Sequence, residues 1–352
     1  MFFTIVIPAY NCEKTIDRLL ASIENQYCPE ELKVIITDDS DKDHDDLYAY
    51  VKPYQKKFLI DYYKREKTPY TIHCPGNTRH SGLKKALKEN TEYILFIDCD
   101  DEFIPNTFKT MKELIVQSRY PDIIGSRFDA YNENGTFAYK EQNSLGWLHG
   151  KLFKKTFLEK YNIQFKVDME AHEDTYFNCL LTYYQIRERI ESAYFDNICF
   201  YKWYRRAEST SHKENIQDRN DIFIQKHFRD YLYSCIGVFL DNFKRDEKFL
   251  SPQLKQDFMV RTVHSIYMAY CYFQGFMNSG RLDRIKDCYE ALKECIWEYY
   301  KTFNVGQEDL IKVVYSMPQI FINHRNISYV GVGHFIERES FQDFIHNMRF
   351  YE

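Results

Sequence analysis

Residues Tyr93-Ile94-Leu95-Phe96-Ile97 form a short apolar run with no charge inside it, and Asp98-Cys99-Asp100-Asp101 follow at once. A run of that length reads as a strand buried on both faces of a parallel sheet. Its last residues then emerge at the carboxyl edge of the sheet, where open α/β folds place ligands. Acids at i and i+2 in such a spot can hold one divalent cation through oxygen ligands. Three earlier runs are strand-like: Phe2 to Ile7, Lys33 to Thr37 ending in Asp38-Asp39, and Phe58 to Tyr62. Between them lie helical stripes. Ile16, Leu19, Leu20 and Ile23 fall on one face; Leu47, Tyr48 and Val51, then Leu83, Ala86 and Leu87, and finally Phe108, Met111 and Ile115 mark three more. This alternation predicts an α/β, Rossmann-like N-terminal domain with a mainly parallel sheet covered by helices.

Past residue 120 the pattern changes. Asp122 to Tyr131 and Thr136 to Lys140 flank Asn134-Gly135, a hairpin signal. A helix is expected after His172-Glu173-Asp174, through Tyr176, Leu180, Leu181 and Tyr184, and a strand over Ile198 to Tyr204. From about residue 216 the spacing is mostly helical, with Ile224, Phe228, Tyr231, Leu232, Cys235 and Phe239 on one face. The polar run Glu208 to Asn220 is the expected boundary, giving domains over 1–215 and 216–352, the second a helical unit for acceptor binding or for self-association into a homo-oligomer.

The bulk chemistry narrows the classes. The formal net charge of -5 does not call for nucleic acid as a partner. The ten cysteines have no CxxC pair and no finger spacing, so they read as reduced thiols of a cytoplasmic protein. Met1 to Pro8 reads as a first strand and not a signal peptide. The apolar stretch Ile266 to Phe273 is far short of the roughly 20 residues that span a bilayer, which leaves at most peripheral contact with the inner membrane face. Only 12 residues are glycine, and neither GxGxxG nor a P-loop is present. A bound nucleotide would therefore need a metal and basic side chains for its phosphates.

In a parallel sheet the strand ends Pro8-Ala9-Tyr10-Asn11, Asp38-Asp39-Ser40-Asp41 and Asp98-Cys99-Asp100-Asp101 share one edge. An aromatic ring there can stack on a base, and a carboxylate can accept from a base N–H. These pieces, with Asn77-Thr78-Arg79-His80-Ser81-Gly82, Glu173-Asp174-Thr175-Tyr176-Phe177, and Tyr204-Arg205-Arg206 followed by Ser209-Thr210-Ser211-His212, resemble in order the motifs of GT-A glycosyltransferases of family 2. The resemblance ends near residue 215. Two motifs depart from the family: Asp39 is followed directly by Ser40 with no glycine between, and Thr78-Arg79-His80 stands where Ala-Arg-Asn is usual.

The resemblance implies a UDP-sugar donor, Mn²⁺ or Mg²⁺, and transfer with inversion to a hydroxyl of a glycan, polymer or lipid-linked acceptor, as in capsule, lipopolysaccharide or teichoic acid synthesis. Carried onto this chain, it implies that Pro8, Tyr10 and Asp39 meet the base, that Arg79 meets a phosphate or the base, and that one of Arg205 and Arg206, with Arg206 preferred, meets the diphosphate. Asp98 touches the donor or the cation, Asp100 ligates the cation with His212 as a further ligand, and Asp174 is the general base. Glu173 positions the acceptor or caps its helix, and Asp101 is a turn residue. Trp147-Leu148-His149-Gly150-Lys151 falls where acceptor-side residues lie, with Trp147 either stacking on a sugar or packing in the core. Nucleotidyl transfer also uses a doubly wound sheet and paired aspartates, and a protein side chain or a modified DNA base would serve as acceptor equally well; these readings stand beside the first.

Overall fold

Four of the apolar runs become neighbouring parallel strands. In the computed structural model, which describes residues 1–26, 31–41, 47–66, 74–142, 146–169, 171–206, 221–277, 285–316 and 338–348, the strands are β1 (Phe3–Ala9), β2 (Leu32–Asp38), β3 (Leu59–Lys64), β4 (Tyr93–Phe96), β5 (Glu102–Phe103), β6 (Ile123–Asn132), β7 (Phe137–Glu141), β8 (Lys151–Lys154) and β9 (Ser192–Arg205). They join into one sheet in the order β3-β2-β1-β4-β8-β6-β9-β5, with β7 hairpinned onto β6. β1 sits centrally in its parallel block, Val6 lying opposite Ile35 of β2 and Phe96 of β4. All seven of its residues are buried, as a strand covered on both faces requires.

Beyond β4 the sheet becomes mixed. β8 runs antiparallel to both β4 and β6, and β5 antiparallel to β9, while β6 and β9 are parallel. β8 gives no strand signal of its own, being four residues with a lysine at each end. It is a strand because β4 and β6 offer their edges on either side of it.

The helices α1 (Ile16–Glu24), α2 (Leu47–Val51), α3 (Pro75–Ala86) and α4 (Thr107–Gln117) follow the expected stripes. α3 begins well before its apolar residues. Pro75 opens it, where a missing N–H costs nothing, and its first buried residues are polar or small: Gly76, Asn77, Thr78 and Arg79. Gly82 lets this helix lie close on the sheet, since a Cβ there would come 2.5 Å from Val6 Cγ1. α5 (Lys155–Lys160) follows β8, and α6 (Glu173–Glu188) carries the downstream acidic pair in its first turn.

By its contacts the chain divides into two units, Met1–Asn178 with Arg189–His212, and Cys179–Glu188 with Lys213–Glu352. The second is helical: α7 (Asp221–Leu232), a π turn at Tyr233–Gly237, α8 (Val238–Asp246), α9 (Pro252–Met277), α10 (Ile285–Phe303), α11 (Gln307–Ser316) and a helix over Arg338–Asn347. Its core centres on Tyr183, which stacks on Phe258 at 4.5 Å and donates its hydroxyl to Asp246 at 2.9 Å. Among the described residues every cysteine is free, and no helix is long and apolar enough to cross a membrane.

Candidate active site

The strand ends and the start of α6 meet around one guanidinium. α3 carries Arg79 beneath the carboxyl edge of the sheet, where its side chain is 7% exposed. Nη2 donates to Asp98 Oδ1 at 2.5 Å, Nη1 donates to Glu173 Oε1, and Nη1 lies 3.4 Å from Asp174 Oδ1. Burial alone would ease the proton off Arg79, but Asp174, Asp98 and Glu173 together outweigh it and raise its pKa. Arg79 is thus engaged by three acids drawn from two distant segments.

The second oxygen of Asp98 faces His149, with Nε2 at 3.6 Å. The imidazole is boxed by Tyr201, Phe128 and Trp147, with ring centroids at 4.5, 5.0 and 5.3 Å. Burial pushes its pKa down to about 3, Asp98 notwithstanding, so it is neutral. Asp98 itself resists the cost of burial because Arg79, by its charge and its hydrogen bond, holds the carboxyl below the usual range. His149 is a member of the site that the sequence reading did not single out; its signal lay in Trp147-Leu148-His149-Gly150-Lys151, where Gly150 takes φ +70° and a Cβ would strike Ser126 Oγ at 2.7 Å.

Asp101 does more than turn the chain. It is 1% exposed, its Oδ2 accepts from the Tyr201 hydroxyl at 2.6 Å, and its Oδ1 accepts from the Tyr204 backbone N–H at 2.8 Å. The Asp98 backbone N–H donates to the same Tyr201 hydroxyl at 3.1 Å. Asp101 therefore pins the acidic loop to β9. Asp100 lies on the open side of that loop. Its carboxylate is paired with Arg206, and its backbone carbonyl accepts from Arg18, whose guanidinium lies 3.7 Å over the Tyr204 ring. Arg205 instead lies over Tyr139, 5.7 Å from the ring centroid.

Asp174 stands in the first turn of α6. Burial, reinforced by Glu173 and Asp98 and opposed by Arg79, raises its pKa to about 8. Asn178, one turn on, donates its amide to the Asp174 carbonyl at 2.8 Å and to the Trp147 carbonyl at 2.9 Å. Lys151 Nζ donates to the Trp147 carbonyl at 2.6 Å and to Asn178 Oδ1 at 2.9 Å. The segment around Trp147 is thereby tied to the helix of Asp174, while the indole packs partly buried against Phe128, His149 and Trp203.

The ends of β1 and β2 form the other wall. Tyr10 is 51% exposed, and its hydroxyl donates to Asp41 Oδ2 at 2.7 Å. Pro8 is buried in β1 opposite Thr37. Asp39 is buried against Arg65 at 3.0 Å, its backbone N–H donating to the Ala9 carbonyl at 2.8 Å. Asp38 is wholly buried; its Oδ1 accepts from the Ser40 N–H at 2.8 Å and its Oδ2 from the Tyr62 hydroxyl, so it shapes the turn. The Ser40 N–H thus has its partner although the glycine usual in this motif is missing. His212 lies outside the described residues.

The site carries more negative than positive charge. Asp98, Asp100, Asp101, Glu173 and Asp174 face Arg79 and Arg206, with His149 neutral. Burial first, and neighbouring acids with it, raises the pKa of Asp100, Asp101, Glu173 and Asp174, so holding all of them as anions in one space is costly. Hard carboxylate oxygens with a charge deficit of this sign suit Mg²⁺ or Mn²⁺. Asp98, Asp101 and His149 bring ligand atoms within 4.8 Å of one another, and both oxygens of Asp101 already accept hydrogen bonds from β9.

Residues 4–172 match the family model for glycosyl transferase family 2. The chain carries a family 2 glycosyl transferase domain over this stretch. Among curated family 2 relatives, it is 27% identical over 190 residues to poly(ribitol-phosphate) beta-N-acetylglucosaminyltransferase TarS of Staphylococcus aureus (strain MW2), covering 50% of this chain and 32% of that protein. It is 31% identical over 200 residues to poly(ribitol-phosphate) beta-glucosyltransferase of Bacillus spizizenii, covering 50% and 29%. The chain thus spans about a third of the length of these relatives. The crystal structure of S. aureus TarS 1-349 in complex with UDP-GlcNAc superposes with a TM-score of 0.62 at 18% identity, covering 90% of this chain and 87% of that one. The fold of the chain is accordingly GT-A, with a helical C-terminal portion.

Proposed function

We propose that the protein is a metal-dependent, inverting glycosyltransferase that moves a sugar from a UDP-sugar to a hydroxyl of a phosphopolyol polymer of the teichoic acid type. The observation that carries this is the pairing of a donor-side acid, Asp98, with an acceptor-side acid, Asp174, through Arg79 in a family 2 domain. The donor class is supported by a UDP-GlcNAc complex of a protein with the same fold, and the acceptor class by the names of the relatives.

Asp98 and Asp100, with His212 as a further ligand, would hold Mn²⁺ or Mg²⁺. A cation there would act as a Lewis acid toward the departing diphosphate. Tyr10 is the exposed ring on which a base can stack, with Pro8 and Asp39 beside it. Arg206 supplies a guanidinium to phosphate. Arg79 holds Asp98, Glu173 and Asp174 in fixed relation, so the donor and the base keep register. Asp174 takes the proton of the attacking hydroxyl; a carboxylate whose pKa is raised to about 8 is a far stronger base than an ordinary one, and is half ionised at that pH. Attack from the side opposite the leaving group inverts the anomeric carbon. We place the catalytic domain over 1–215 at the cytoplasmic side of the membrane, and give acceptor binding or subunit contacts to the helical domain over 216–352. A screen of UDP-sugars, each with and without Mn²⁺, tests this: UDP release with one of them supports it, and pyrophosphate release in its place would show nucleotidyl transfer.

A further inference from the structure

Both outer acids of Asp98-Cys99-Asp100 already carry a guanidinium, and the two guanidiniums are held very differently. Arg79 is buried and shared among Asp98, Glu173 and Asp174. Withdrawing it would leave three buried acids facing one another, so it is a permanent member of the site. Arg206 is 36% exposed, and the carboxylate it meets among the described residues is that of Asp100. Its Nε is buried and has no acceptor among those residues. Its hydrogen bonding is incomplete where it stands, and an oxygen-rich anion arriving beside it would complete it. The Asp100 backbone does not depend on Arg206, because Arg18 holds the Asp100 carbonyl from the other side.

With Asp100 read as a cation ligand, as above, we infer that Arg206 is a placeholder cation: it neutralises Asp100 in the free protein and cedes that carboxylate to a divalent ion when a diphosphate arrives to take the guanidinium. A guanidinium and a divalent ion cannot both sit on one carboxylate without repelling each other. The cation alone must therefore displace Arg206 into an incomplete setting. With the diphosphate present, Arg206 moves onto phosphate oxygens and the ion takes Asp100. Cation and nucleotide then bind cooperatively, and by linkage each strengthens the other by the same factor.

Free Mn²⁺ measured by electron paramagnetic resonance in titrations of the whole protein tests the exchange. Without nucleotide, Arg206→Gln should bind Mn²⁺ about tenfold more tightly than wild type, within the usual range of coupling between sites. UDP should tighten Mn²⁺ binding in the wild type by a similar factor and barely at all in Arg206→Gln. Arg206→Lys keeps a charge at the same place and should resemble the wild type, and Asp100→Asn in the Arg206→Gln background should lose the gain. Mn²⁺ binding by Arg206→Gln that is equal to or weaker than wild type would overturn the exchange, as would an equal effect of UDP on both. The transferase reading is scored apart, by UDP release from UDP-sugars: release with unaltered Mn²⁺ affinity in Arg206→Gln sinks only the exchange, and altered affinity without release sinks only the transferase.

Discussion

Replacing Arg79 by methionine probes the hub of the site. The side chain is almost fully buried, and its removal leaves Asp98, Glu173 and Asp174 without the charge that lets them share one interior space. Breaking a buried ion pair from one side costs about 3–5 kcal/mol. For a unit of this size each kcal/mol lowers the melting temperature by about 2–4 °C, so a fall of about 6–20 °C is expected at pH 8. The loss should depend on pH in one direction. Without Arg79 the three acids have folded pKa values above the unfolded values of about 4. The native state then binds more protons than the unfolded state across that interval, so stability declines as pH rises from about 4 through the folded pKa values. The deficit should be smallest near pH 5 and complete by about pH 9, and Glu173→Gln added to Arg79→Met should recover part of it. Melting curves of wild type, Arg79→Met, Arg79→Lys and the double variant from pH 5 to 9 measure this. A loss below about 1 kcal/mol, or a deficit that grows on acidification, would refute the role given to Arg79.

Other outcomes follow from neighbouring contacts. Asp101→Ala strands the Tyr201 hydroxyl and the Tyr204 N–H, costing about 1–3 kcal/mol each, whereas Asp100→Ala should leave the melting temperature nearly unchanged and abolish transfer; equal melting losses would deny that the two acids differ. The pH profile of kcat/KM should rise toward a midpoint near about 8, since Asp174 acts as base only when unprotonated. Glu173→Gln removes a repulsion that raises Asp174 and should move that midpoint to lower pH; a shift upward would contradict the assignment. Gly82→Ala forces its methyl against Val6 Cγ1, 2.5 Å away, and should cost about 1–3 kcal/mol, partly regained with Val6→Ala.

The parallel block was legible because β1 and β4 are unbroken apolar runs and α1 and α4 have one-sided stripes. That Asp98 and Asp174 fall near one another was legible because the order of the motifs along the chain carries it. What could not be read depends on partners far away in sequence. Arg79 finds Glu173 across 94 positions, and Asp101 finds Tyr204 across 103. α3 buries polar residues in its first turns, so apolar periodicity starts too late to show where it begins. β8 is a strand only by the company of β4 and β6, and His149 is neutral only because four aromatic rings enclose it.

The most direct test of the account is sugar transfer from a UDP-sugar to poly(ribitol phosphate) with Mn²⁺, compared between wild type and Asp174→Asn, with UDP affinity measured alongside. Loss of transfer by about 10²–10⁴ with UDP affinity held within a few-fold is the predicted result. Transfer by Asp174→Asn at close to the wild-type rate would contradict it.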